Sequence, residues 1–252
     1  MKKLSLILSV CLTGAIAQAT LIDDFSGSGL GAYTLTRVLD NGVSEQNVSF
    51  SDAGGVLSAA YTGTINQPEQ VVLLRSDFNL AVGNTLLVDT LFATQSSQMD
   101  LGIAVGATAT PAGAVNPSPT DTRNSFEWAS IYVRPSQNAV RSTSSTNGVV
   151  VTAAGVLNTD ETLVKQLFIE RTSLTDFTLG YYDTSFTRFI SRTVTFTGTD
   201  VGTAIGFYAD LRTAGGTLNG LDNLTITLIP EPTMGALLGL GALGMVARLR
   251  RK

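Results

Sequence analysis

Leu224-Thr225-Ile226-Thr227-Leu228 alternates apolar and hydroxyl-bearing residues at every step, and Thr193-Val194-Thr195-Phe196-Thr197 does the same. A period of two puts the apolar side chains of an extended segment on one face and the polar ones on the other. Both stretches therefore predict half-buried antiparallel strands, one face on a core and one in water. Asn47-Val48-Ser49-Phe50 repeats the pattern. Further runs rich in β-branched and aromatic residues lie at 33–39, 55–61, 70–76, 85–93, 99–105, 125–134, 163–171, 177–182, 186–191 and 202–211. Turn signals separate them: Asp40-Asn41-Gly42, Ala53-Gly54-Gly55, Asn147-Gly148 and Ala214-Gly215-Gly216. About a dozen short strands with this punctuation and no amphipathic helix predict an all-β sandwich of antiparallel strands. Two segments fall outside the pattern. Residues 106–124 form a long polar connection with Pro111, Pro117 and Pro119, and 142–147 is a soft Ser/Thr run before Gly148.

The two ends of the chain have a different character. Lys2 and Lys3 precede an apolar stretch over 4–16, then Ala17-Gln18-Ala19. That order reads as a secretory leader, residues 1–19, cut after Ala19 following Sec export and signal peptidase action. Val10 before Cys11 argues against a lipoprotein leader. At the other end Pro230-Glu231-Pro232 is followed by an uncharged run over 233–247 and by Arg248, Arg250, Arg251 and Lys252. The prolines break any preceding strand, and the basic cluster prefers the cytoplasmic side of a membrane. Fifteen helical residues span roughly 22 Å, short of a hydrocarbon core of ~30 Å, so the run predicts a short, weak transmembrane helix with snorkelling arginines.

Between these ends lie residues 20–229. Six of the sixteen basic residues and one of the twenty acidic ones belong to the two ends, so this region carries ten basic against nineteen acidic groups, a net charge of −9. Such a surface repels nucleic acid. The chain has no His, and its one Cys is Cys11. Disulfides, Cys/His zinc sites and His-dependent catalytic triads or dyads are thereby excluded from the central domain. Carboxylate chemistry and oxygen-ligated metals remain.

The C-terminal arrangement resembles the PEP-CTERM sorting signal of exported bacterial proteins. The resemblance implies recognition by an exosortase-type membrane protease that cuts near Pro230-Glu231-Pro232, with the tail over 230–252 a transient handle. A second resemblance spans the central domain. Leu21-Ile22-Asp23-Asp24-Phe25 and Leu221-Asp222-Asn223-Leu224-Thr225-Ile226 look like the first and last strands of concanavalin-like (LamG-like) jelly rolls, which lie side by side. The run Phe168-Ile169-Glu170-Arg171-Thr172 leading to Phe177-Thr178-Leu179-Gly180-Tyr181-Tyr182 resembles the central hairpin of that group. This resemblance speaks for fold more than for function.

Three sets of residues carry candidate chemistry. Glycan binding needs an aromatic face with polar neighbours, which points to Trp128 with Tyr132 in phase along its strand, and to Tyr181 and Tyr182 beside Asp183. The alternative is that Trp128 and Phe126 fill the core between the sheets. Clustered oxygens suit Ca²⁺, and Asp222 at a strand start with Asp23 or Asp24 nearby is the candidate set. Its parity with Leu224 and Ile226 turns Asp222 coreward, where the plainer role is to accept amide hydrogens of the Asn219-Gly220 turn. Glu127 and Glu170 are the strand carboxylates for a glycosidase pair. Jelly-roll glycosidases of the laminarinase type show Glu-x-Asp-x-x-Glu on one strand, and this chain has none, so water-facing surface glutamates are the plainer reading. The expectation is an exported cell-surface or exopolysaccharide-matrix protein, structural or adhesive and not an enzyme, with extracellular polysaccharide as partner. The alternative is a polysaccharide hydrolase or lyase using Glu127, Glu170 or Asp183.

Overall fold

The computed structural model describes residues 19–27, 29–40, 47–64, 68–92, 99–108 and 123–228. The leader with Ala17, the connection over 109–122 and the tail with its membrane run lie outside the described residues. Among the described residues no helix is long and apolar enough to cross a membrane.

The described residues form fifteen strands in order: β1 (Ala19–Asp23), β2 (Thr34–Asp40), β3 (Val48–Ser51), β4 (Leu57–Tyr61), β5 (Glu69–Arg75), β6 (Asn84–Thr90), β7 (Met99–Gly106), β8 (Trp128–Arg134), β9 (Ala139–Thr146), β10 (Val149–Asn158), β11 (Val164–Arg171), β12 (Asp176–Asp183), β13 (Arg188–Thr195), β14 (Ala204–Leu211) and β15 (Thr217–Leu228). They form two antiparallel sheets. One has the order β13-β12-β11-β6-β15-β4-β3, with β1 added to β15, and the other β10-β9-β8-β7-β14-β5-β2. Alternation sends Leu101, Ile103, Ile131, Val133, Phe207 and Leu211 of the seven-stranded sheet inward. There they meet Leu86, Val88, Leu167, Ile169, Leu179, Leu224 and Ile226 of the eight-stranded one. That shared apolar layer is the core of the sandwich. The expected pairing of the terminal strands is present, with Thr20 opposite Ile226, and β11 and β12 form the expected hairpin.

The Ser/Thr run over 142–147 is not soft. Residues 142–146 belong to β9, where Ser142, Ser144 and Ser145 are fully buried. Asn147 and Gly148, both at positive φ, turn the chain tightly into β10. Polar composition suggested a loop because it says nothing of satisfied hydroxyls. Ser142 Oγ donates to Ala154 O at 3.1 Å, and Ser144 Oγ accepts from Arg192, which reaches over from β13.

The reading of Asp222 also changes. Asn223 adopts φ 52°, and the register of β15 against β6 shifts between Asp222 and Thr225. This bulge adds a residue, so Leu221 and Leu224 both face the core and Asp222 turns outward beside Asp89, its ladder partner. Its carboxylate accepts from Asn223 N at 2.7 Å rather than from the preceding turn.

Candidate ligand-binding face

The face of the seven-stranded sheet turned away from the core holds the densest chemistry among the described residues. On β8 every second residue points there: Trp128, Ser130, Tyr132 and Arg134, while Ala129, Ile131 and Val133 face inward. Trp128 and Tyr132 thus share a face, as the sequence predicts, and Trp128 does not fill the core between the sheets. Tyr208 of β14 lies between them, 5.7 Å from Trp128 and 5.0 Å from Tyr132. Phe126 stacks on Trp128 at 6.1 Å, with ring planes 19° apart. Val72, Leu74, Ala104 and Ala204 pack against this row as a second apolar cluster. Trp128 itself is fully buried, and its indole Nε1 donates to Arg123 O at 2.9 Å.

Hydroxyls edge the aromatic row. Tyr132 OH lies 3.2 Å from Thr143 Oγ1. Tyr208 OH faces the same threonine without reaching hydrogen-bond geometry, and neither it nor Ser145 Oγ beside Trp128 has a partner among the described residues. Unpaired buried hydroxyls are costly and rare, so two on one face are a structural signal. Burial raises both tyrosines, Tyr132 to about 12 and Tyr208 well above the ordinary value, which keeps them neutral.

At the far end of the row the face becomes ionic. Asp100 of β7 and Asp210 of β14 are ladder partners, both 1% exposed. Arg134 Nε donates to Asp100 Oδ1 at 2.7 Å, Arg134 Nη2 donates to Asp100 Oδ2, and the same group lies 3.9 Å from Asp210 Oδ2. Arg212 donates twice to Asp210, at 3.1 and 2.7 Å, and Gln70 Nε2 donates to it at 3.0 Å. Burial pushes Asp100 up to about 7, opposed by the hydrogen bonds from Arg134 and reinforced by the charge of Asp210. Sequence reading missed Tyr208 and this network. The signal was present: Asp100 and Asp210 take the parity opposite to Met99 and Leu101, and to Phe207 and Leu211, in strands otherwise apolar.

The other candidates lie elsewhere. Tyr181 faces the core and stacks on Phe189 at 4.9 Å, while Tyr182 packs on Phe168 at 5.2 Å outside the eight-stranded sheet. The two tyrosines thus point to opposite faces of one sheet. Asp183 caps the β12–β13 turn by accepting from Ser185 N and Thr187 N. Glu170 pairs with Arg188 on the outer side of the eight-stranded sheet. Glu127 precedes β8 at an end of the other sheet, and it is no water-facing strand glutamate. Its carboxylate accepts from Asn147 N, Thr197 N, Thr197 Oγ1 and Gly198 N, at 2.7 to 3.0 Å. Partial burial works to raise its pKa, and these four hydrogen bonds outweigh that and hold it below the usual carboxylate range. Glu127 and Glu170 therefore do not flank a common cleft.

Asp23 accepts from Phe25 N at 2.9 Å and from Tyr33 OH at 3.1 Å, and Asp24 accepts from Ser26 N at 3.0 Å. With Gly29, Gly31, Ala32 and Arg75 they line an open pocket of about 500 Å³. Asp222 instead shares the Asn223 side-chain amide with Asp89. Among the described residues no group of three or more His, Cys, Asp or Glu is placed to hold a metal ion.

Two packed antiparallel sheets, adjacent terminal strands and a polar-aromatic outer face define a jelly-roll sandwich of the concanavalin-like kind. Solved structures agree on the fold. The chain is similar to an endo-β-1,3-glucanase from Pyrococcus furiosus, at 10% identity over 85% of this chain and 96% of that one, with a TM-score of 0.51. It is similar to a LamA variant from Z. galactanivorans in complex with laminaritriose and laminaritetraose, at 10% identity over 82% and 98%, TM-score 0.50. The CBM2 module of the evolved Dit of Lactobacillus casei BL23 phage J-1 matches at 11% identity over 84% and 97%, TM-score 0.50. Comparison with curated protein sequences finds no match. Residues 228–252 match the PEP-CTERM protein-sorting motif. The chain is thus an exported protein with a C-terminal sorting signal.

Proposed function

We propose that this domain is a non-catalytic glycan-binding module of a cell-surface or exopolysaccharide-matrix protein, binding a neutral polysaccharide on the outer face of the seven-stranded sheet. The observation that carries this reading is the row Phe126–Trp128–Tyr208–Tyr132, set outside the core and edged by the unpartnered hydroxyls of Tyr208 and Ser145. Aromatic carbon surface accepts sugar C–H groups, and the hydroxyls with Gln70 and Asp210 supply directional partners. Arg134 and Arg212 are neutralised by Asp100 and Asp210, which favours an uncharged ligand over an anionic one. Trp128 is fully buried, with Phe126 and Tyr208 stacked against it, so a pyranose gains a stacking surface on it only when a neighbour such as Phe126 moves away. Phe126 sits in the connection before β8 and is only partly buried, which makes it the displaceable member.

A hydrolase reading draws on the facing carboxylates Asp100 and Asp210. Each is held by an arginine and is 1% exposed, so neither is placed to reach a glycosidic oxygen, and binding without cleavage is the better account. Around the domain, the leader reading assigns Sec export and signal peptidase, and the sorting motif assigns an exosortase-type protease to the tail.

Trp128 is the sole tryptophan, so its emission reports on the face directly. Titration with soluble neutral glucans and the native matrix polysaccharide is expected to change that emission, and Phe126→Ala is expected to tighten binding severalfold. No change with any polysaccharide, in the parent or in Phe126→Ala, removes the proposal. New reducing ends released from the matrix would replace it with the hydrolase.

A further inference from the structure

Half of the large apolar side chains left exposed among the described residues stand on one side of the sandwich. They are Val149, Val151 and Val156 of β10, Phe189 and Ile190 of β13, and Phe186 in the turn before it, each 37 to 63% exposed. β10 and β13 are the last strands of their two sheets on that side. They run past each other in opposite directions. Glu127 ties the start of β10 to the end of β13 by accepting from Asn147 N and Thr197 N. Ser191 Oγ donates to Gly155 O at mid-strand, and Thr184 N donates to Leu163 O at the far end. No ladder joins the two strands, so together they form a wall with a free strand edge in each layer.

Edge strands are normally kept short, charged or broken by proline. β10 has ten residues, more than any other edge strand among the described residues, and Val149–Asn158 contains neither a charge nor a proline. The two arginines of β13 are engaged elsewhere, Arg188 on Glu170 and Arg192 turned inward onto Ser144. Bulges with Ala153 and Gly155 at positive φ bend the middle of β10 toward β13, yet the valines on either side still face solvent. Phe186 is also held at φ 58°, an unfavourable backbone for a bulky residue, with its ring in water. Apolar surface gathered in this way marks a contact site.

We propose that two copies of this chain associate through this wall, about a two-fold axis passing near Ala153 and Ala154. The region 20–229 carries a net charge of −9, so two copies repel over most of their surface. The uncharged β10 is where such a chain meets itself without opposing like charges, and a two-fold contact needs only one self-complementary patch. The small Ala153-Ala154-Gly155 stretch lets the copies approach, and Val151 of one then meets Val156 of the other. The exposed parts of the six side chains amount to about 500 Å² per copy, so pairing hides about 1,000 Å², the size at which interfaces become specific. Antiparallel apposition of the two β10 strands sets the axis perpendicular to the sheets. The outer faces of both seven-stranded sheets then look the same way, and one long polymer can engage both.

The test weighs the full chain in mild detergent by sedimentation equilibrium. The parent is expected to be a dimer, and Val151→Lys with Val156→Lys to weaken it at least ~100-fold, since four like charges then crowd the axis. Ser49→Lys, exposed on β3 across the sandwich, should leave the dimer intact. In a Cys11→Ser background, Thr152→Cys is expected to oxidise to a covalent dimer and Ser49→Cys is not. Trp128 emission reports whether each variant is folded, and the Thr152→Cys cross-link decides alone if the lysines unfold the domain. A monomeric parent overturns the proposal and leaves the glycan-binding reading untouched. A dimer indifferent to the two lysines, or cross-linked equally through Ser49→Cys, is held by another surface and overturns it too.

Discussion

Replacing Arg134 by Met keeps an apolar stem in place and removes the cation that Asp100 and Asp210 share. Asp100 loses two hydrogen bonds, and the remaining cation, Arg212, stays on Asp210. Both carboxylates are 1% exposed, so water cannot take over. Breaking a buried pair in this way costs about 3–5 kcal/mol. For a domain of this size that lowers Tm by about 6–20 °C at neutral pH. The pH dependence has a definite sign. Asp100 already titrates near about 7 when folded, because burial opposes its charge, and without Arg134 it moves higher. Stability from a carboxyl whose folded pKa exceeds its unfolded value is complete below the unfolded pKa and is lost as pH rises through the folded one. The variant is therefore expected to be closer to wild type at pH 5 than at pH 8. Asp100→Asn added to Arg134→Met should restore most of the loss, since no lone charge then remains. Urea unfolding followed by Trp128 emission at the two pH values measures all of this. A deficit below about 1 kcal/mol, or one equal at pH 5 and pH 8, would refute the reasoning, because a lone buried charge predicts neither.

Three further outcomes are expected. Glu127→Gln keeps one acceptor but turns an amide N–H₂ toward a donor; it should cost about 1–3 kcal/mol. Because the Glu127 carboxyl is held low, its contribution is present above the unfolded pKa and is lost as pH falls through the folded one, so urea midpoints of Glu127→Gln should flatten on the acid side. Gly102→Ala would set a Cβ 2.0 Å from Ile131 O in the middle of the sheet, and β7 and β8 must separate to admit it. A melting loss matching about 3 kcal/mol or more is expected, and an unchanged Tm would contradict the strand spacing. Tyr208→Phe deletes a buried hydroxyl without a partner, so it should stabilise the free domain by up to about 1 kcal/mol while weakening polysaccharide binding.

How much of this was legible in the sequence differs by level. Strand alternation exposed the sandwich because one face of each sheet packs on a common core, and the pattern around Leu224 and Val194 reflects that directly. The pairing of the terminal strands followed from their resemblance to the first and last strands of concanavalin-like jelly rolls, not from the residues alone. A period-two pattern does not say which side of a sheet is inside. Trp128 is as buried as any core residue, so only the second sheet, with Ala129, Ile131 and Val133 against it, decides that Trp128 belongs to the outer face. Asp222 misled for a related reason: parity counts residues, and the bulge at Asn223 inserts one. Parity alone turns Asp100 and Asp210 away from the core, but that they meet each other and Arg134 depends on the pairing of three strands, which no local spacing encodes.

The adjacency of β1 and β15 has a bearing on how the domain can be rebuilt. A domain whose first and last strands meet along one ladder is nearly a closed ring, and a bridge of a few residues between 228 and 20 would complete it. New termini could then open at the hairpin tip between Asp183 and Arg188, where the backbone is exposed and the flanking strands are held by their own neighbours. Such a permuted molecule would present the aromatic row from a different point of attachment, with each of its strand neighbours unchanged.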